Sequence, residues 1–154
     1  MNAEEIKKNI EAFKSAKPYF KGVFSINTLP TKLSTPSFLV CNFDTDVNPG
    51  SHWFCLFKNT KTKLDCFYSL GLNSEKLELI QKYCKIEFAT KITFNETQVQ
   101  SNLTSTCGNF VLYFAFQRLH NLDLQFDELL NEIFEENIDN NEVKVANFFL
   151  SITK

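Results

Sequence analysis

Apolar residues at helical spacing open the chain: Ile6, Ile10 and Phe13 recur on one face behind an Asn2-x-x-Glu5 capping box, which predicts a short amphipathic helix over 3–15. Pro18 and Gly22 interrupt that period, so the stretch to about Pro36 reads as loop or irregular extended chain. Phe38–Phe43 is a largely apolar run, consistent with a buried strand, and the turn formers 44–50 follow it. Two apolar runs, 51–58 and 63–70, flank Asn59-Thr60-Lys61-Thr62 and predict a β-hairpin. Gly71 to Asn73 closes its second strand, and Ser74 caps a helix whose Leu77, Ile80 and Cys84 face inward. Ile86–Phe88 and Ile92–Phe94 are short candidate strands. The segment from Cys107 to about His120 is the most apolar helix in the chain and is expected at its centre. A further helix over 123–137 would bury Leu124, Phe126, Leu129, Leu130, Ile133 and Phe134, and a last one over 139–153 would use Val143, Ala146, Phe149 and Leu150. The pattern is α+β: one domain spanning 1–154, a small mixed β-sheet flanked by helices.

Composition narrows the functional classes. At 154 residues the chain can bury about two thirds of its unfolded surface. The net charge is −2 with no long Lys/Arg run, so no strong nucleic-acid binding is expected. No apolar run approaches a membrane span, and the charged N-terminus lacks a signal-peptide core. Five cysteines at 41, 55, 66, 84 and 107 form no CxxC pair and are odd in number, which argues against a disulfide framework and a zinc site. No metal or cofactor motif is present, so no cofactor is expected, and a reducing, non-secreted setting follows.

Chemistry concentrates in Gln100 through Phe110. A polar loop runs up to Cys107, and the central helix starts there, with Gly108 leaving room for close approach. Unpaired N–H groups and the positive end of the helix dipole favour thiolate, which is the nucleophile. Gln100, seven residues earlier, can supply a neutral amide donor. Of the two histidines, His120 sits near a helix end, where structure explains it. His52 follows a turn at the start of a strand and can supply a base, with Trp53 on the opposite face. Nucleophile, base and oxyanion donor are the parts of a cysteine acyl-transfer enzyme. Cys41, Cys55, Cys66 and Cys84 read as small buried hydrophobes.

The order His52-Trp53, a strand ending in Gly71, then Gln100-x6-Cys107-Gly108-x-Phe110 resembles the adenain-like cysteine proteases, the adenovirus maturation protease family with its virophage and Polinton-type relatives. Pro18-Tyr19-Phe20-Lys21-Gly22 and Asn48-Pro49-Gly50-Ser51 resemble family segments as well, so the likeness spans about residues 15–120. It implies a papain-like core with a central helix starting at the catalytic cysteine. Cys107 would be the nucleophile, His52 the general base, and Gln100 with the Cys107 N–H the oxyanion hole. The family places Asp or Glu three residues before the strand-end glycine to orient the histidine, and this chain has Tyr68 there. Three alternatives follow: Tyr68 orients His52, a Cys–His dyad suffices, or a carboxylate comes from Asp44 or Asp46. Asp65 is close in sequence but should face the other side. A dyad assisted by Tyr68 is the expectation.

The resemblance implies an endopeptidase that processes viral capsid precursor proteins at Gly-containing sites, in the virion and host-cell interior; a monomer is the default expectation. Trp53 and the Gly50 loop would line a narrow substrate groove. No cysteine matches the family's disulfide-forming activation site before Gln100. The acidic chain stops short of the family's C-terminal extension, so DNA-stimulated activity is not expected. A protease for ubiquitin-like modifiers shares the same site chemistry. An inactive binding module would account for the missing acid at Tyr68.

Overall fold

The structure is a computed structural model that describes residues 1–44 and 52–152. Five strands, β1 (Phe20–Ser25), β2 (Ser37–Asn42), β3 (Trp53–Lys58), β4 (Lys63–Phe67) and β5 (Lys91–Phe94), form one sheet in sequential order. The central β2/β3 and β3/β4 pairs are antiparallel, and the outer β1/β2 and β4/β5 pairs are parallel. Five helices surround it: α1 (Ala3–Ala12), α2 (Ser74–Tyr83), α3 (Cys107–Leu119), α4 (Phe126–Ile133) and α5 (Ile138–Ile152). The fold is mixed α+β.

Every residue of β2 and β3 is buried, as their continuous apolar runs require of strands covered on both faces. On one face α3 supplies the cover. Phe67 stacks on Phe114 at 4.6 Å and on Phe134 at 5.5 Å, so α3 and the end of α4 share one aromatic layer. Tyr68, one residue on, turns to the other side. Its ring meets Phe43 at 5.0 Å, Phe43 meets Phe54 at 4.4 Å, and Lys76 of α2 lies over Phe43.

The capping box of α1 is present, with Asn2 and Glu5 bonding each other's backbone N–H groups. Three readings need correction. The irregular stretch after Pro18 contains β1, a half-buried strand at the sheet edge. The cap of α2 is Asn73, whose side chain accepts the Lys76 N–H at 2.8 Å, while Ser74 is the first helical residue. The helix α5 is rotated from expectation: Val143, Ala146 and Leu150 are exposed, Phe149 packs against the core as expected, and Asn141 and Val145 are buried. Asn141 sets that rotation, accepting the Glu135 N–H at 2.7 Å and donating to the Glu135 and Val99 carbonyls at 2.8 and 3.2 Å. The same face then lays Phe148 against Phe13, Tyr113 and Phe116. The β5 candidate is a strand, whereas Ile86–Phe88 is not, with Phe88 at φ 64°.

Candidate active site

Cys107 is the first residue of α3, and Thr106 before it makes no side-chain cap. The Thr106 hydroxyl instead donates to the Glu142 carboxylate at 3.0 Å, alongside the Thr104 hydroxyl at 2.7 Å and the Ser101 N–H at 3.0 Å. A carboxylate from α5 therefore ties down the polar loop, and among the described residues the first N–H groups of α3 have neither a side-chain acceptor nor an intrahelical partner.

The β3/β4 ladder ends at Cys55–Phe67. Two residues further along β3, the Trp53 N–H and carbonyl face the position that Ser69 would take if pairing continued. Both bond to Cys107 instead: the N–H donates to Sγ at 3.3 Å and the thiol donates to the carbonyl at 3.0 Å. The sulfur thus occupies the next rung of the sheet. Ser69, fully buried, directs its hydroxyl at the Gln100 Oε1 at 2.5 Å and lies 3.6 Å from Cys107 Sγ. Its carbonyl accepts the N–H groups of Val99 and Gln100 at 2.8 and 3.1 Å. Gln100 is 1% exposed, and its Nε2 donates to the Thr104 carbonyl at 3.2 Å and hydroxyl at 3.3 Å.

The sequence-predicted residues therefore fall into two groups. Cys107 and Gln100 come together, joined through Ser69. His52 is exposed, immediately before β3, with its carbonyl accepting the Phe43 N–H at 3.3 Å. No hydrogen bond joins its imidazole to Cys107 or Tyr68 among the described residues. Tyr68 is buried in the Phe43–Phe54 cluster; burial pushes its phenol up, and the nearby Cys107 adds to that. Asp65 is engaged elsewhere: Arg118 Nε donates to Oδ2 at 2.8 Å and the Thr93 hydroxyl to Oδ1 at 2.7 Å. Arg118 is eleven residues along α3 from Cys107, about 16 Å at 1.5 Å per residue, so Asp65 cannot orient His52. Asp44 shows no bond to His52, and Asp46 lies outside the described residues, as do Asn48, Pro49, Gly50 and Ser51.

The helix dipole by itself predicts a thiolate-favouring Cys107. Burial instead pushes the thiol above its ordinary value, against the pull of the Ser69 hydroxyl, the Trp53 backbone, the N-terminal ammonium and Lys76. Met1 packs against both neighbours of the thiol, Trp53 and Gly108. Its carbonyl accepts the Trp53 indole N–H at 2.8 Å, and its side chain lies so close to Gly108 that an added Cβ there would meet it at 3.0 Å. Trp53, expected to wall an open groove, is instead 3% exposed, with its indole bonded to Met1.

After β4 the chain turns at Gly71, whose φ of 82° and contact with the Glu96 carbonyl leave no room for a Cβ. Asn95 secures this turn, exchanging side-chain bonds with the Tyr68 N–H at 2.9 Å and carbonyl at 2.6 Å. Ser69 and Glu142 are the site residues that the sequence did not disclose. The other four cysteines are free thiols, with 41, 55 and 66 buried and Cys84 half-buried. Among the described residues no His/Cys/Asp/Glu group could hold a metal ion, and no helix is long and apolar enough to cross a membrane.

No family model matches this chain, and no curated protein matches it either. A solved structure of the central domain of the uncharacterized Lpg1148 protein from Legionella pneumophila is similar at 11% identity and a TM-score of 0.44, over 86% of this chain and 88% of that one.

Proposed function

We propose that the protein is a cysteine endopeptidase with a papain-like core, in which Cys107 is the nucleophile and His52 the general base. The observation that carries this reading is the bonding of Cys107 Sγ to both backbone groups of Trp53, the residue directly after His52. It puts the thiol at the start of α3 beside the strand end that bears the histidine, with Gln100 connected through Ser69.

His52 takes the Cys107 proton, the resulting thiolate attacks the scissile carbonyl carbon, and the oxyanion is received by the Cys107 N–H and Gln100 Nε2. His52 gives its proton to the departing amine, whose C–N bond breaks to leave a thioester on Cys107. A water, deprotonated by His52, then releases the acid and restores the thiol. Three rearrangements accompany this chemistry. Met1 leaves the sulfur so that burial no longer opposes the thiolate, and the His52 imidazole turns to it. Gln100 Nε2 exchanges Thr104 for the oxyanion. Tyr68 is the residue assigned to steady His52, because it occupies the orienting position of the family that the sequence resembles.

The same resemblance assigns the substrate: viral capsid precursor proteins cut at Gly-containing sites, within the virion or the host-cell interior. Co-expression of such a precursor with wild type, Cys107→Ala and Tyr68→Phe tests this. Processing is expected with wild type, absent with Cys107→Ala and reduced with Tyr68→Phe. Processing of a ubiquitin-like fusion alone would replace the substrate assignment. A second reading, an inactive binding module, draws on the covered, proton-holding Cys107. It predicts that Cys107→Ala changes no processing.

A further inference from the structure

We propose that Ser69 is a positioning residue that fixes the orientation of the Gln100 amide, so that its NH2 end and not its oxygen faces the reacting carbonyl. This rests on the reading of Cys107 as nucleophile.

An amide side chain can fit a pocket either way round, because its oxygen and nitrogen are nearly the same size. Only one orientation donates to an oxyanion. The other would bring two lone pairs against a developing negative charge. Something must therefore decide between them, and a donor aimed at the oxygen does so. Ser69 is that donor. Its hydroxyl is buried and 2.5 Å from Gln100 Oε1, which leaves Nε2 turned to the Thr104 side. The serine is itself held by its backbone, since its carbonyl accepts the Val99 and Gln100 N–H groups. The turn that carries it is fixed on the far side by Gly71 and Asn95. A flip of Gln100 would place an NH2 against the Ser69 oxygen. The hydroxyl would then have to turn to another acceptor, which among the described residues is Cys107 Sγ at 3.6 Å, already supplied by the Trp53 N–H. Both ends of the amide agree on the same orientation, Oε1 facing the Ser69 hydroxyl and Nε2 facing the Thr104 carbonyl.

Two probes of Cys107 separate positioning from a direct effect on the sulfur. Iodoacetamide alkylates the thiolate at a saturated carbon, displacing iodide, and no oxyanion forms. With p-nitrophenyl acetate the thiolate forms an S–C bond to the acyl carbon, the ester C–O bond breaks and p-nitrophenolate leaves, passing through an oxyanion. Each is measured on the full chain from pH 6 to 10, with Cys107→Ala as the blank for the other thiols. Loss of one oxyanion donor costs on the order of 10²–10³ in rate, so Gln100→Ala should lose about that much acylation. Ser69→Ala should lose about tenfold or more in acylation, with alkylation changed by less than about threefold at matched thiolate fraction. In the Ser69→Ala/Gln100→Ala double variant acylation should fall no further than in Gln100→Ala alone. Ser69→Thr, which keeps the hydroxyl, should restore most of the rate.

Unchanged acylation in Ser69→Ala, additive losses in the double variant, or equal losses with both probes would each overturn the positioning role. If the Thr variant does not fold, the double-variant comparison decides alone. Absence of any Cys107-dependent acylation in wild type is a different result: it sinks the nucleophile reading and takes this one with it.

Discussion

Replacing Arg118 with methionine removes a cation from a place where water cannot substitute for it. The Arg118 and Asp65 side chains are 2% and 4% exposed and meet at 2.8 Å. Arg118 also donates to the carbonyls of Leu124 at 2.6 Å and Asn121 at 3.3 Å, pinning the exit of α3. Breaking a buried pair from one side typically costs about 3–5 kcal/mol, because the remaining charge is left uncompensated. For a domain of this size that is roughly 2–4 °C of Tm per kcal/mol, or about 6–20 °C in total. Burial already holds the Asp65 carboxyl above its ordinary range, ahead of the pull of Arg118, Thr93 and Lys63. A raised folded-state value favours stability at low pH and loses that contribution as pH rises through it. Without Arg118 the value rises further, so the deficit of Arg118→Met should shrink on acidification from neutrality as Asp65 takes up its proton. Asp65→Leu/Arg118→Met strands no charge and should lie within about 3 kcal/mol of wild type, losing the two carbonyl bonds of Arg118 and the Thr93 hydroxyl bond to Asp65. Thermal unfolding followed by circular dichroism at neutral and mildly acidic pH reads all of this. A shift below about 1 kcal/mol for Arg118→Met, or a double variant no more stable than the single, would refute the buried-pair argument. Cys107 alkylation that collapses in a folded double variant would return Asp65 to the site.

Three further outcomes follow from the surroundings of Cys107. Trp53→Phe deletes the indole bond to Met1, so iodoacetamide should modify Cys107 about fivefold faster at pH 8, the equivalent of one bond of ~1 kcal/mol; an unchanged rate would mean that Met1 does not limit access. Gly71→Ala forces a side chain into a left-handed conformation against the Glu96 carbonyl and should cost on the order of 1–3 kcal/mol in urea unfolding, and a neutral result would contradict the tight turn. Glu142→Gln exchanges a carboxylate that accepts three bonds for an amide; faster hydrogen exchange at the Ser101 amide is expected, and unaltered protection would show that α5 does not restrain the loop.

The elements that the sequence disclosed are those whose periodicity has a single reading. The α3 run begins at Cys107 because a polar loop meets a continuous apolar helix there, and the β3/β4 hairpin is marked by a four-residue polar turn between apolar runs. The β1 strand was hidden because Gly22 interrupts it and its edge position leaves it half-buried, without a clean alternation. The rotation of α5 was obscured by a polar residue, Asn141, which is buried for its hydrogen bonds rather than its hydrophobicity. In the site, Gln100 and Cys107 were legible as a spaced pair on one segment. Ser69 was not, since a lone serine acquires meaning only when β4 ends beside α3. Nor was Glu142, which comes from a helix about forty residues later. The cover over the thiol was equally invisible, because helix position alone predicts a lowered thiol and says nothing of Met1.

The central claim, peptide hydrolysis through a thioester on Cys107, is tested most directly by incubating wild type and Cys107→Ala with a peptide library containing Gly-Gly sequences. Acid-quenched samples are examined by intact-mass and peptide-level mass spectrometry. The account predicts cleavage at Gly-containing bonds by wild type only, with an acyl adduct trapped on Cys107. Identical peptide patterns for the two proteins, with Cys107 unmodified, would contradict it.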